Sequence, residues 1–150
     1  VMRSYFMSTE NTYERYFVTP AWSPERSVSN EITLMQKANI AYLNSDYAEV
    51  VKILSQMPAT GDKSAVFDFY KAASFQKMNK YNEAITEYTK VINEGDNLFI
   101  EEAEWYRSLC YLKLKNYEKS RTELLAVIER KGHYQNDAKA ILRRLKYSIK

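Results

Sequence analysis

Three tyrosines, Tyr47, Tyr81 and Tyr117, recur along this chain at spacings of 34 and 36 residues. The only three glycines follow in step, because each lies 14 or 15 residues after one of these tyrosines. A repeat of about 34 residues is typical of arrays of paired helices, in which each pair buries its apolar side against the next. This repeat spacing therefore predicts an all-α chain of stacked helix pairs, and it does not indicate what the array binds.

The composition agrees with long helices. Among 150 residues there are three glycines and three prolines, so the chain has few helix breakers. A single cysteine excludes an intrachain disulfide and a cysteine-cluster zinc site. No apolar stretch approaches the ~18 residues of a membrane span. Because the chain opens on Val1 without a leader-like sequence, we expect it to be cut from a longer protein.

The chain divides into a lead-in, residues 1–29, and a helical part, residues 30–150. The lead-in is rich in aromatic residues and contains Pro20 and Pro24, which forbid a continuous helix there. A short helix over about residues 9–17 is compatible with the sequence before these prolines.

The aromatic residues of the lead-in need a place to pack, because apolar rings are unfavourable in water. An array of helix pairs exposes an apolar edge at its first helix. We therefore expect Tyr16, Phe17 and Trp22 to pack onto the first helix pair as a cap, with the groove of the array as the less favoured docking place.

From residue 30 onward, apolar residues recur with the period of a helix. Asn30 is the predicted cap of the first helix. The predicted turns within the pairs are Ser45-Asp46, Asn79-Lys80 and Lys115-Asn116. The predicted helices, seven in all, cover about residues 30–43, 47–57, 65–78, 81–94, 100–114, 117–130 and 135–149. The last has a charged side and would cover the apolar end of the array.

The residues around Tyr47, Tyr81 and Tyr117 resemble the tetratricopeptide repeat family, whose pattern places small and aromatic residues at fixed distances over about 34 residues. The positions that this resemblance assigns to repeat packing are Ala38, Tyr47, Ala72, Phe75, Tyr81, Ala84, Ser108, Tyr111, Tyr117 and Ser120. The resemblance covers about residues 31–130. It implies a right-handed α-α superhelix of three helix-turn-helix repeats, followed by a C-terminal capping helix.

The chain also departs from that family. Lys37, Lys71 and Arg107 stand where the family has leucine, and the closing proline is missing from every repeat. The lead-in, around Tyr16-Phe17 and Pro20, is similar to segments that precede such repeats in Gram-negative bacterial envelope proteins. That similarity implies a bacterial protein of the periplasm or envelope, with the cytoplasm as the open alternative.

In the family's geometry, the first helix of each pair lines a concave groove that binds protein or peptide. The groove positions that the resemblance implies are Asn39, Tyr42, Phe69, Tyr70, Gln76, Trp105, Tyr106 and Lys113. Tyrosine and tryptophan supply the large, stiff contact area that dominates many interfaces. The alternative is that most of these side chains belong to the core between the helices.

No constellation of residues predicts catalysis, and we expect no enzyme, no cofactor and no metal site. His133 stands alone in a predicted loop. Cys110 suits a small buried residue better than a nucleophile. Glu101, Glu102 and Glu104 suit the first turn of a helix, where they complement its dipole, and a cation site is the alternative.

The C-terminal third is basic, since residues 103–150 carry twelve Lys/Arg against five Asp/Glu. A solvated capping helix accounts for this excess, and attraction of phosphate or acidic protein is the alternative. No nucleic-acid-binding motif accompanies the charges, so we expect no nucleic acid as partner.

Two functions remain open. The first is an adaptor that binds a protein or peptide segment in its groove without catalysis. The second is a structural module of a larger membrane-anchored bacterial protein, whose ends stack on copies of itself or on further repeats. The sequence does not identify the partner, and self-association would distinguish the two functions.

Overall fold

The computed structural model of the chain describes residues 9–22, 33–57 and 63–148. Within these ranges it holds eight α-helices and no strand, so the all-α prediction is confirmed there. The helices are α1 (Thr9–Tyr16), α2 (Leu34–Leu43), α3 (Tyr47–Gln56), α4 (Lys63–Lys77), α5 (Tyr81–Asn93), α6 (Ile100–Lys113), α7 (Tyr117–Arg130) and α8 (Gln135–Ser148). The helix α1 corresponds to the short helix that the lead-in sequence allowed.

The turns inside the three pairs share one conformation. Ser45, Asn79 and Lys115 each adopt a left-handed backbone with φ of 60°, 61° and 60°. The next residue then caps the second helix, and in two of the three turns its side chain accepts a hydrogen bond from the first turn of that helix, as Asp46 and Asn116 do. The predicted turn positions are therefore confirmed, and the three turns repeat in geometry as well as in sequence.

One predicted detail, the cap of the first helix of the array, is wrong. The cap of α2 is Thr33, which forms a reciprocal capping box with Gln36, whereas Asn30 lies outside the described residues. After α7 the left-handed position is taken by Lys131 and not by Gly132. A Cβ at Gly132 would meet the carboxylate of Glu101, whose side chain would have to move aside. After α5, Gly95 does adopt the left-handed conformation, with φ of 78°.

From α2 to α8, each helix packs against the next one in the chain. The small residues assigned to repeat packing, Ala38, Ala72, Ala84, Ser108 and Ser120, are fully buried. Ser120 in α7 donates a hydrogen bond to the backbone carbonyl of Ser108 in α6 at 3.0 Å, so the two backbones approach closely there. The aromatic members of the set, Tyr47, Phe75, Tyr81, Tyr111 and Tyr117, are half-buried.

Two of the charged residues that replace the family's leucine form ion pairs between helices. Lys71 in α4 lies 3.1 Å from Glu87 in α5, and Arg107 in α6 lies 2.7 Å from Glu123 in α7. Each pair joins the two helices of one repeat, and the partners are mostly shielded from water. The departures from the family pattern therefore come with compensating carboxylates 16 residues later.

None of the helices in the described ranges combines the length and the hydropathy that crossing a lipid bilayer requires.

Candidate functional site

The described part of the lead-in, residues 9–22, packs onto one side of the helix array, and we call it the docked segment. Its helix α1 contacts α6 and α8. The extended stretch after α1 continues across α6 at Val18 and then across α2 and α4 at residues 20–22. We call the side of α2, α4 and α6 that it covers the docking face.

Four side chains on the docking face donate hydrogen bonds to backbone carbonyls of the extended stretch. The donor–acceptor pairs are Tyr106 with Val18 (2.8 Å), Tyr42 with Pro20 (2.7 Å), Tyr70 with Ala21 (2.9 Å) and Asn39 with Trp22 (3.1 Å). The donors come from three different helices. All four bonds go to the main chain of the segment.

The side chain that anchors the extended stretch is the ring of Trp22. It stacks on Tyr70 with 4.1 Å between ring centroids and an interplanar angle of 10°. The edge of Tyr42 contacts the same ring at 5.6 Å. Only 7% of Trp22 is exposed, so an aromatic side chain of the lead-in is buried between two helices of the docking face.

Tyr13 anchors the helical part of the docked segment. It is 3% exposed, and its hydroxyl accepts a hydrogen bond from Gln76 at 3.1 Å. Gln76 in turn accepts a hydrogen bond from Tyr88 at 2.9 Å, which links the segment to α5 through a buried polar network. The ammonium group of Lys113 lies 5.0 Å from the centroid of the Tyr13 ring.

The expectation that the lead-in caps the first repeat is wrong for two of its three residues. Tyr16 contacts the edge of Trp105 at 6.4 Å, and Phe17 contacts Tyr106 at 5.9 Å, so both lie against α6. Only Trp22 reaches the first pair. The physical reason is that the docking face offers hydrogen-bond donors and rings together, whereas an apolar helix edge would leave the carbonyls of the segment without partners.

The three tyrosines that donate to the segment remain protonated at neutral pH. Burial raises the pKa of Tyr42 and of Tyr106 above the ordinary value for tyrosine. Burial, and the nearby charge of Glu102, raise the pKa of Tyr70 to about 12. A neutral hydroxyl is a donor, so the raised pKa values extend these three hydrogen bonds to a higher pH than an exposed tyrosine would allow.

Seven of the eight residues predicted for the groove contact the docked segment, and Phe69 is the one that does not. Phe69 packs instead between Tyr88 and Phe99, with 2% of its surface exposed. The seven contacting residues are Asn39, Tyr42, Tyr70, Gln76, Trp105, Tyr106 and Lys113. Six of the seven are buried, and Lys113 is half-buried.

A cavity of about 420 Å³ lies between the docked segment and the array. Residues 18–21 form one wall, and Phe99 and Tyr134 form part of another. The sequence reasoning missed these two aromatic residues. They stand 35 residues apart, each directly before a helix, so the repeat period itself was the signal that would have found them.

The other singled-out residues have simpler roles. Cys110 is fully buried, and burial raises the pKa of its thiol, so it packs as a small apolar residue. His133 is exposed at the rim of the cavity, with its ring 4.9 Å from that of Tyr134. In the part of the chain that the structure describes, no three His, Cys, Asp or Glu side chains are grouped as a metal ion would require.

The basic end is partly engaged within the protein. Arg130 forms an ion pair with Glu104, and Arg144 lies 5.6 Å from the centroid of the Tyr16 ring. Lys119 lies 5.5 Å from the centroid of the Tyr111 ring.

Comparisons of this chain with protein-family models, with curated proteins and with solved structures found no match.

Proposed function

We propose that this chain is a non-catalytic scaffold of tetratricopeptide-like repeats, whose docking face binds an extended segment of protein. A right-handed superhelix of three such repeats would place α2, α4 and α6 on its inner side. The observation that carries the proposal is the row of four side-chain donors on these helices, which hold four backbone carbonyls of an extended stretch.

The bound segment has a defined chemistry. It is extended, its carbonyls accept hydrogen bonds from tyrosine and asparagine side chains, and one flat ring enters the space between Tyr42 and Tyr70. Proline suits such a segment, because it lowers the entropy lost on ordering and has no N–H that would need an acceptor. In the resting chain, residues 13–22 occupy the face. A partner segment with an aromatic residue after a proline-bearing extended stretch replaces it.

A peptide with the sequence of residues 12–23, carrying a fluorophore, tests this proposal directly. The parent chain should bind it weakly, because its own segment competes at very high effective concentration. A Trp22→Ala chain, whose own segment docks less tightly, should bind the peptide at least about tenfold better. Fluorescence anisotropy measures both affinities. Val18→Ser is the matched control, since the side chain of Val18 is 69% exposed and its loss should leave the segment docked.

The proposal fails if the Trp22→Ala chain does not bind the peptide, or if a peptide of the same composition in scrambled order binds equally well. A partner protein isolated from cells would be assigned to the docking face only if the 12–23 peptide displaces it.

A structural assembly module is the second candidate, and one observation favours it. The helix α2, first in the array, leaves Leu34, Ile40 and Leu43 exposed, where a preceding repeat or another copy would stack. Light scattering over a range of protein concentrations distinguishes the two functions, because only assembly requires the apparent mass to rise.

A further inference from the structure

The cavity beneath the docked segment has an aromatic lining, in which Phe99 and Tyr134 have no part in the peptide-binding proposal. Seven of its fourteen lining residues are phenylalanine, tyrosine or tryptophan. Phe99 and Tyr134 are only half-buried, so part of each ring surface is free to contact a ligand. The volume of about 420 Å³ is in the range of small-molecule sites.

Three glutamates lie in or near the first turn of α6, and the structure gives them different roles. Glu104 forms an ion pair with Arg130, and Glu101 accepts a hydrogen bond from the backbone N–H of Tyr134 at 3.3 Å. Glu102 instead lines the cavity, where it is half-buried. Two of the three carboxylates therefore serve the fold, and the third faces the aromatic walls.

The charged side chains in the cavity lining are acidic, while Arg15 and Arg144 lie 5.7 and 5.6 Å from the centroid of the Tyr16 ring at its edge. Its lining includes Glu102 and Asp137, and among the described residues that line it there is no lysine or arginine. Burial raises the pKa of Glu102, and the charge of Glu102 contributes to raising the pKa of Tyr70 and of Tyr134. A carboxylate in such a place would be stabilised by a positively charged neighbour.

We propose that this cavity binds an organic cation, namely an amine or a methylated ammonium group, with Glu102 as its counter-charge. Ring faces attract cations of this kind, and apolar walls suit their methyl or methylene groups. An anion would be repelled by Glu102 and Asp137. A bare metal ion would lack the cluster of hard ligands that it requires. The proposal does not require that a partner segment replaces residues 18–21.

The docked segment is part of this site, because Tyr16 and residues 18–21 form one of its walls. A cation in the cavity would therefore bind only while the segment is docked, and by mass action it would hold the segment in place. The positive group has two possible sources, a free small amine or the side chain of a lysine in a partner protein, and the chemistry of the site is the same for both.

Choline and its neutral isostere 3,3-dimethylbutan-1-ol provide the test, titrated into the full chain and followed by nuclear magnetic resonance. Choline should saturate a single site and shift the ring signals of Tyr134 and Phe99. The isostere, which has the same shape without the charge, should bind at least about tenfold more weakly. Comparable binding of the two ligands, or no saturable binding of choline, would overturn the proposal without any mutation.

Glu102→Gln should weaken the binding of choline by about tenfold, because the substitution removes the counter-charge and keeps the shape of the side chain. Its matched control is Glu83→Gln, since Glu83 lies in the first turn of α5 and is exposed away from the cavity. Equal effects of the two substitutions would contradict a role for Glu102. A peptide with trimethyllysine identifies the source: tighter binding than choline assigns the site to a partner's side chain, and weaker binding assigns it to a free amine.

Discussion

The two halves of the docked segment are held by the array in different ways. The helical half, residues 9–17, is held through side chains, of which Tyr13 is buried most deeply. The extended half, residues 18–22, is held through its backbone carbonyls and through the single ring of Trp22. The comparison shows that one half is recognised by its sequence and the other mainly by its extended conformation.

The difference follows from where backbone hydrogen bonds are made. In a helix the carbonyls bond within the segment, as Phe17 does with Tyr13 at 2.8 Å, so only side chains remain for contact. An extended stretch has no such internal partners, and its carbonyls must be satisfied from outside once they are buried. Here, tyrosine hydroxyls on α2, α4 and α6 donate hydrogen bonds to these carbonyls.

Alkaline pH should have the largest effect, and it should act on both halves, because burial also raises the pKa of Tyr13 in the helical half. An unfolded tyrosine ionises near pH 10, whereas Tyr42, Tyr70 and Tyr106 in the folded chain do so at higher pH. Above pH 10 the unfolded state therefore loses protons that the folded state keeps. The free energy of unfolding should be insensitive to these groups below pH 10 and lower by about 4 kcal/mol at pH 11.

Urea denaturation at pH 9 and pH 11 measures this loss. In Tyr70→Phe the loss between the two pH values should be smaller by about 1.4 kcal/mol, because one ionisable hydroxyl is gone. A variant with the same pH dependence as the parent would show that the Tyr70 hydroxyl is not shielded by the segment.

Truncation of the ring anchor should have the next largest effect. Trp22→Ala should lower the free energy of unfolding by about 3 kcal/mol, because it empties the space against Tyr70 and Tyr42. Phe17→Ala, in the helical half, removes a half-buried ring and should lower it by about 1 kcal/mol. Circular dichroism in urea compares the two. If Phe17→Ala lowers the free energy of unfolding more than Trp22→Ala does, Trp22 is not the main anchor of the docked segment.

Loss of a single donor should have the smallest measurable effect. Tyr106→Phe leaves the carbonyl of Val18 without its hydrogen bond, and it should lower the free energy of unfolding by about 1 kcal/mol. Val18→Ser changes the exposed side chain of the same residue and keeps the carbonyl, so its effect should stay within about 0.5 kcal/mol. The same denaturation experiment applies. A larger effect of Val18→Ser would mean that the side chain, and not the backbone, is recognised.

Helices and turns were predictable because their causes are local. The bounds of α5, α6 and α7 differ from the predicted ones by at most one residue at each end. The turn before Tyr81 needed only Asn79, a residue that tolerates the left-handed conformation. The start of α2 was missed because Thr33 competes with Asn30 as a cap, and only the capping box with Gln36 distinguishes them.

The sequence by itself determined the period, the helix pairs and the identity of the aromatic residues near the groove positions. It did not determine what covers them. The docking of residues 9–22 depends on contacts between residues up to 99 positions apart, such as Lys113 with Glu14, and no local pattern encodes these. Only the tertiary structure brings donors from α2, α4 and α6 into one row, because their spacing is set by how the helices pack. The same packing places Glu102 among the rings of a cavity, which neither its own helix nor its neighbours in sequence would reveal.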